Sequence, residues 1–444
     1  MRMVRLTFAV ILTLLLTSLI PVEAQAQRIQ VLRDAEIESG LRELSLPLFR
    51  AAGLDPDSVR IVLVNDRSLN AFVAGGANIF IHSGLIAATD NPEELAGVLA
   101  HEMGHITGGH LVRLQMELRD LSTVALLTSV VGVAGAVLAG DPGAVVAGSA
   151  AGGQIGQRTL LRYSRQHEGA ADQAALGFLQ QAGYPATGLL SVFGKLADQE
   201  LLPESQQVEF VRSHPLTRSR IAALDAYVRR TPAAQGKMPD RTIIRHSLMR
   251  AKVIGFTEPQ RAAIFYRDAD SIPARYARAI ADYRRGRTDQ ALEGLASLRA
   301  DYPLNPWFHE THGQFLYELG QVEKAEQAYG KAIELEPGAN LARLGWGRTL
   351  LDTGKLQQAR EQLTRVTSED RMIPLAWRLL ATAEGRLGNE AAAQLALAEE
   401  SLLRRNWPRA RANAEAAARN SKTGSPQWLR AQDVISAARQ GMDR

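Results

Sequence analysis

Apolar residues recur at helical spacing after Asn91: Leu95, Val98, Leu99 and Ile106 fall on one face. The pattern predicts a helix buried along that face. Asn91 suits its N-cap, Pro92 its first position, and Glu94 stands three residues after the cap. Upstream, Gln27 to Ala52 keeps Leu32, Ile37, Leu41, Leu44 and Leu48 on one side among charges, which predicts another helix. Between these two, VRIVLVN (59–65) reads as a buried strand. Residues 70–73 and 77–82 read as a further strand or hairpin with Gly75-Gly76 between them. A sheet edge placed there could take an extended peptide as an added strand.

Downstream the pattern changes. Leu121 to Gly140 holds 20 residues without a charge, then Asp141-Pro142, then the uncharged Gly143 to Gln157. The first run barely reaches bilayer length, and the second is short and rich in Gly and Ala. A transmembrane hairpin, a membrane-dipping pair and a helical cover over the preceding segment all fit; the composition favours the last two, and with them a peripheral membrane contact. The alanine-rich stretch from Tyr163 to Ala175 then returns to a helical pattern.

The C-terminal half repeats itself. Gly286, Gly320, Gly354 and Gly388 are each 34 residues apart, and Ala291, Ala325, Ala359 and Ala393 keep the same step. Leu295, Tyr329, Leu363 and Leu397 fill another equivalent position, and Pro303 and Pro337 repeat once. A 34-residue period with glycine at the turn and alanine at the helix contact is the tetratricopeptide pattern. Near Arg404-Arg405-Asn406-Trp407 the register changes, and Ala410 resumes the pattern half a repeat early, so the last helices are expected to form an atypical cap.

Composition narrows the function classes. With 46% hydrophobic residues the chain can build cores, and its 444 residues call for more than one domain. The 51 basic and 47 acidic residues are spread along it, with no basic-aromatic cluster, so nucleic acid is not an expected partner. No cysteine is present, which removes disulfides, thiolate metal sites and cysteine nucleophiles and leaves His and carboxylates as ligands. Arg2 and Arg5, the apolar run Leu6 to Ile20, and Ala24-Gln25-Ala26 read as a cleavable export signal over residues 1–26. A bacterial periplasm is the expected address.

The candidate chemistry lies on the first helix, which ends in His101-Glu102-Met103-Gly104-His105. Positions i and i+4 are roughly 40° apart around a helix, so His101 and His105 can meet one zinc ion, with Glu102 beside them as general base. In Gln166-His167-Glu168-Gly169-Ala170-Ala171-Asp172, Glu168 and Asp172 stand one turn apart. One carboxylate can complete a His-His-Glu set, and the other can orient a ligating histidine. A third histidine six residues after the second would define another zinc class, but position 111 is Leu; His110 comes one residue early and is expected not to ligate. His82, flanked by apolar residues, is read as structural.

HEMGH, HEGAAD, the later SHPLTRSRI and the NAF-V-GG strand region together resemble the zinc metallopeptidases related to the CAAX prenyl protease and HtpX. The export signal and the repeats resemble their periplasmic branch, the β-barrel assembly-enhancing proteases. The resemblance implies one Zn2+ per chain held by His101, His105 and Glu168, with Glu102 catalytic and Asp172 supporting the site. It also implies that His214 lies on a loop near the metal, where it fills the open position in a latent state or stabilises the oxyanion, with Arg220 as a further supporting candidate. Ala170 departs from the family, which often has a second glutamate there. Unfolded or stalled outer-membrane proteins as substrates, and the barrel-assembly machinery as a partner of the repeats, are likewise implied by the resemblance.

The expected fold is mainly α (α+β): a metallopeptidase domain with a small sheet over 27–230, a linker and bridging helices over 231–270, and an α-solenoid of tetratricopeptide repeats over 271–440. The expected activity is a zinc metalloendopeptidase. The alternative is a chaperone or docking scaffold whose protease activity is largely latent.

Overall fold

The computed structural model describes residues 30–110, 113, 116, 165–203 and 206–443. The expected export signal (1–26) and the uncharged region (121–157) lie outside the described residues. Among the described residues no helix is long and apolar enough to cross a membrane.

Helix α1 spans Ala35–Ala51 and starts later than the apolar pattern suggests. The Asp34 carboxylate accepts from the Ile37 N–H at 2.9 Å and caps the helix. Ahead of it the chain is extended: the Leu32 N–H donates to the Leu63 carbonyl at 2.8 Å, and Val31 bridges Val64. Leu32 therefore continues the apolar pattern as sheet-paired backbone rather than as helix.

The sheet consists of β1 (Arg60–Val64), β2 (Ala71–Ala74) and β3 (Asn78–His82), in the order β1-β3-β2. β1 runs parallel to β3, and β2 pairs with β3 antiparallel, so β2 is an edge. Helix α2 (Ser83–Ala88) follows directly.

Helix α3 (Pro92–Thr107) occupies the centre of this region. Asn91 Oδ1 accepts from the Glu94 N–H at 3.0 Å, and Glu94 Oε2 accepts from the Asp90 N–H at 2.9 Å, a reciprocal cap of the first turn. Every residue from Pro92 to Gly104 is buried, a wider burial than one apolar stripe predicts. Helices on more than one side account for it: α4 (residues 165–182), α5 (Thr187–Leu196) and the α8 helix below. At the α3–α4 crossing a Cβ on Gly104 would lie 2.7 Å from the Ala171 carbonyl oxygen, so only glycine admits this approach. The short α6 (Glu209–Ser213) and α7 (Arg218–Arg230) complete the region.

Residues 231–239 pack rather than dangle. The Ala186 N–H donates to the Ala234 carbonyl, Met238 is buried, and its N–H donates to Glu93 Oε1 at 2.7 Å. Helix α8 (Asp240–Thr257) continues the same core through Leu248, Met249, Ala251, Val253 and Ile254, and the short α9 (Pro259–Phe265) follows.

The repeat array runs as α10 (Ile272–Arg284), α11 (Thr288–Asp301), α12 (Pro306–Glu318), α13 (Val322–Leu335), α14 (Asn340–Asp352), α15 (Leu356–Glu369), α16 (Pro374–Arg386), α17 (Glu390–Leu403), α18 (Trp407–Arg419) and α19 (Pro426–Met442). The glycines of the 34-residue period sit between the helices of each pair with φ of 79°, 76°, 80° and 82°. Arg405, at φ 56°, takes that left-handed turn half a repeat later, which is why Ala410 follows it as Ala393 follows Gly388.

A buried ion cluster joins the two halves. Lys252 on α8 is fully buried; its Nζ lies 2.9 Å from Glu310 Oε2 on α12, 3.0 Å from Asp34 Oδ2 and 3.5 Å from Glu36 Oε2. Tyr276 on α10 donates to Glu36 Oε2 at 2.8 Å. The structure is thus the expected α+β region with a small sheet, followed by an α-solenoid.

Candidate metal centre

Helix α3 delivers His101 and His105 to one point, one turn apart, with their Nε2 atoms 3.1 Å from each other. Helix α4, held close by Gly104, brings Glu168: its Oε2 is 3.3 Å from His101 Nε2 and its Oε1 is 3.4 Å from His105 Nε2. The fourth donor comes from the residue that ends α6. His214 Nδ1 lies 3.4 Å from His101 Nε2 and 3.3 Å from both Glu168 oxygens. The donor atoms of these four residues all lie within 4.8 Å of one another.

The donor set suits a zinc-sized ion. Ligands at about 2.0–2.1 Å in a tetrahedron stand roughly 3.3–3.4 Å apart, and the separations here are 3.1–3.4 Å. Imidazole and carboxylate are its usual ligands among residues that are not cysteine. The charges agree as well: the carboxylates of Glu102, Glu168 and Asp172 outnumber the Arg220 guanidinium, so the site draws positive charge, which a divalent cation supplies once the histidines ligate as neutral rings.

The surroundings fix the donors. Asp172 Oδ1 is 3.0 Å from His101 Nδ1, the nitrogen turned away from the donor set. Arg220 grips Asp172 with two bonds, Nε to Oδ2 at 2.6 Å and Nη2 to Oδ1 at 2.8 Å, and its Nη1 reaches Glu168 Oε2 at 3.1 Å. The Arg220 guanidinium also lies over the Phe193 ring at 4.9 Å, an arrangement that secures the cation on α5. Burial works to lower the His101 pKa, but Asp172 and Glu168 outweigh it and push it up to about 10. Burial and the neighbouring His101 pull His105 down to about 2. Burial would raise Glu168, yet His214 and His101 hold it well below the usual carboxylate range.

Glu102 is different. It is fully buried, and among the described residues neither of its oxygens accepts a hydrogen bond; the imidazole Nε2 of His214 lies 3.4 Å away. Burial raises its pKa. A buried carboxylate without donors, beside a metal-ligand set, is a group left free to take a proton.

His110 stands apart from the four donors; its Nδ1 lies 3.0 Å from His105 Nδ1, the nitrogen facing away from them. His82 is buried and meets the Ser68 hydroxyl at 2.7 Å. Ser68 also donates to Glu209 Oε2 at 2.9 Å, tying the start of α6 to the sheet and so setting where His214 falls. Sequence reading missed Phe193, Ser68 and Glu209. Phe193 carries no local signal beyond an apolar position, and Ser68 and Glu209 meet only through the fold.

Residues 32–228 match the model of peptidase family M48, and residues 316–383 match that of a tetratricopeptide repeat. The chain carries an M48 metallopeptidase domain followed by tetratricopeptide repeats. It is homologous to the β-barrel assembly-enhancing proteases. The Escherichia coli (strain K12) protein of that name is 27% identical over 436 residues, covering 93% of this chain and 85% of the relative. The Yersinia pestis one is 32% identical over 277 residues, covering 59% and 54%. Metalloprotease LoiP of Escherichia coli is 32% identical over 167 residues, covering 37% of this chain and 60% of the relative. His101, His105, Glu168 and His214 all fall inside the M48 match.

Proposed function

We propose that the chain is a zinc-dependent endopeptidase of the periplasm, with one Zn2+ held by His101, His105 and Glu168. The observation that carries the reading is the buried donor set with Glu102 beside it, unbonded among the described residues. Zinc at such a site supplies Lewis acidity, lowering the pKa of a water toward about 7 and polarising a scissile carbonyl. Glu102 takes the proton of the attacking water and returns it to the leaving amine. Asp172 holds the tautomer and orientation of His101, and Arg220 holds Asp172 and Glu168 in place.

His214 is the gate. Its Nδ1 stands with the three ligands and its Nε2 is 3.2 Å from the Ala71 carbonyl oxygen on the edge strand β2. In this position it fills the place that a water and a substrate carbonyl need, which favours a resting state closed by His214. Opening requires the His214 loop to leave, and the displaced imidazole is then available to the oxyanion, while Arg220 stays engaged with Asp172 and Glu168. The same observation supports the second reading, a docking scaffold whose protease activity is largely latent.

The substrates we propose are unfolded or stalled outer-membrane proteins, with the barrel-assembly machinery as partner of the repeats. Support comes from the homology to β-barrel assembly-enhancing proteases over most of the chain and from the tetratricopeptide array. Domain limits of 27–230, 231–270 and 271–440 go with this reading. The test is Glu102→Gln in the exported chain, with cleavage of an unfolded outer-membrane protein followed in vitro. Cleavage that ends while zinc stays bound supports the endopeptidase; undiminished cleavage overturns it. Client assembly that survives Glu102→Gln in cells favours the scaffold.

A further inference from the structure

His105 turns Nε2 toward the donor set, and its remaining ring nitrogen meets His110 Nδ1 at 3.0 Å. The two rings are nearly perpendicular, at 80° with centroids 5.1 Å apart, and His110 is only 5% exposed. An imidazole that offers its Nε2 lone pair to a metal is neutral and carries its proton on Nδ1. That proton needs an acceptor in a buried site. Two N–H groups cannot face each other, so His110 accepts through Nδ1 and keeps its own proton on Nε2.

The chain is shaped to bring His110 there. On an unbroken helix the fifth residue after His105 would point away from it. The helix ends at Thr107, and Gly109, at φ 62°, turns the backbone so that residue 110 comes back against His105. Gly108 leaves room for the ring: a Cβ there would lie 2.3 Å from His110 Nε2. The His110 ring stacks on His167, with centroids 4.6 Å apart and planes 13° apart. His167 directly precedes Glu168, so His110 touches both segments that carry the donor set.

We propose that His110 is a positioning residue of the metal centre: it accepts the His105 Nδ1–H and so fixes that ring's tautomer and orientation, as Asp172 does for His101. The proposal rests on the reading of His101, His105 and Glu168 as metal ligands. It differs in kind from the Asp172 contact because the acceptor is a neutral imidazole rather than a carboxylate. The two histidines of the HExxH helix are thus backed unequally.

The test is zinc affinity of the full chain by chelator competition, comparing wild type with His110→Asn, His110→Phe and Glu168→Ala. Asn can place an acceptor oxygen near the position of Nδ1; Phe keeps the ring and its stacking on His167 but accepts nothing. Loss of an outer partner typically weakens metal binding about 10–100-fold. We expect that loss for Phe and retention of most of the affinity for Asn, with the metal-free melting temperature of the Phe variant close to wild type. Wild-type affinity in the Phe variant overturns the proposal, and so does an equal loss in Phe and Asn, which would assign His110 to packing. If wild type binds no zinc, or Glu168→Ala binds it as wild type does, the ligand reading itself fails, and that result is separable from the one on His110.

Discussion

His214 Nδ1 lies 3.3 Å from both oxygens of Glu168, while its Nε2 lies 3.2 Å from the Ala71 carbonyl oxygen on the edge strand. One ring therefore stands among the metal donors and beside the sheet edge. A peptide added to β2 and bound at the metal needs both places, so the same displacement opens them together.

Replacing His214 by Ala should raise peptidase activity while zinc remains bound through His101, His105 and Glu168. A gate closed about nine-tenths of the time costs about tenfold in apparent affinity, and its removal returns that factor. Initial rates on an unfolded client measure it. A fall in rate, with zinc retained, would assign His214 to the oxyanion instead.

Asp172→Asn should weaken zinc binding by about 10–100-fold, because His101 Nδ1 loses its carboxylate. It also takes one of two carboxylate partners from the buried Arg220 guanidinium, leaving it Glu168, so stability falls by less than the about 3–5 kcal/mol of a fully broken buried pair. Chelator competition and denaturant unfolding report the two effects separately. Unchanged affinity would leave Asp172 with the structural part only.

Gly104→Ala should push α4 away from α3, since its Cβ would meet the Ala171 carbonyl oxygen at 2.7 Å. Overpacking of this kind costs about 1–3 kcal/mol, and the shift moves Glu168 off the two histidines. Reduced zinc affinity together with a lower melting temperature is the expected result; zinc affinity equal to wild type would show that Glu168 is positioned by other contacts.

This last residue shows what was legible in the sequence. HExxH, the 34-residue period and the helix start at Asn91 are local patterns, readable because each obeys a helical spacing. Gly104, by contrast, carries no pattern of its own inside HEMGH; its role depends on where α4 crosses. An unbroken helix would aim His110 elsewhere, and the turn at Gly109 that returns it is a backbone event. His214 stands in an isolated His-Pro, which by itself reads as a turn, and only the family resemblance singles it out. Lys252 gave no sign of burial, since its three carboxylate neighbours come from two distant segments.

Lys252→Met should destabilise the chain by about 3–5 kcal/mol, because Asp34, Glu36 and Glu310 keep a buried negative charge without its partner. Burial would lower the Lys252 pKa, but Asp34 and Glu310 hold it well above the usual lysine range. A cation whose pKa is raised on folding contributes fully below its unfolded value and loses that contribution as pH rises through the folded one. The stability gap between wild type and Lys252→Met should thus stay constant from about pH 7 to 10 and narrow above about 10.5. Urea unfolding across that range tests it, and a gap that widens with alkali would contradict the assignment.

In the proposed function, His101, His105 and Glu168 hold one zinc and His214 only covers it. Metal content of the purified full chain, compared with Glu168→Ala and His214→Ala, tests this most directly. About one zinc per chain is expected in wild type and in His214→Ala, with loss of zinc in Glu168→Ala. Zinc kept by Glu168→Ala and lost by His214→Ala would contradict it.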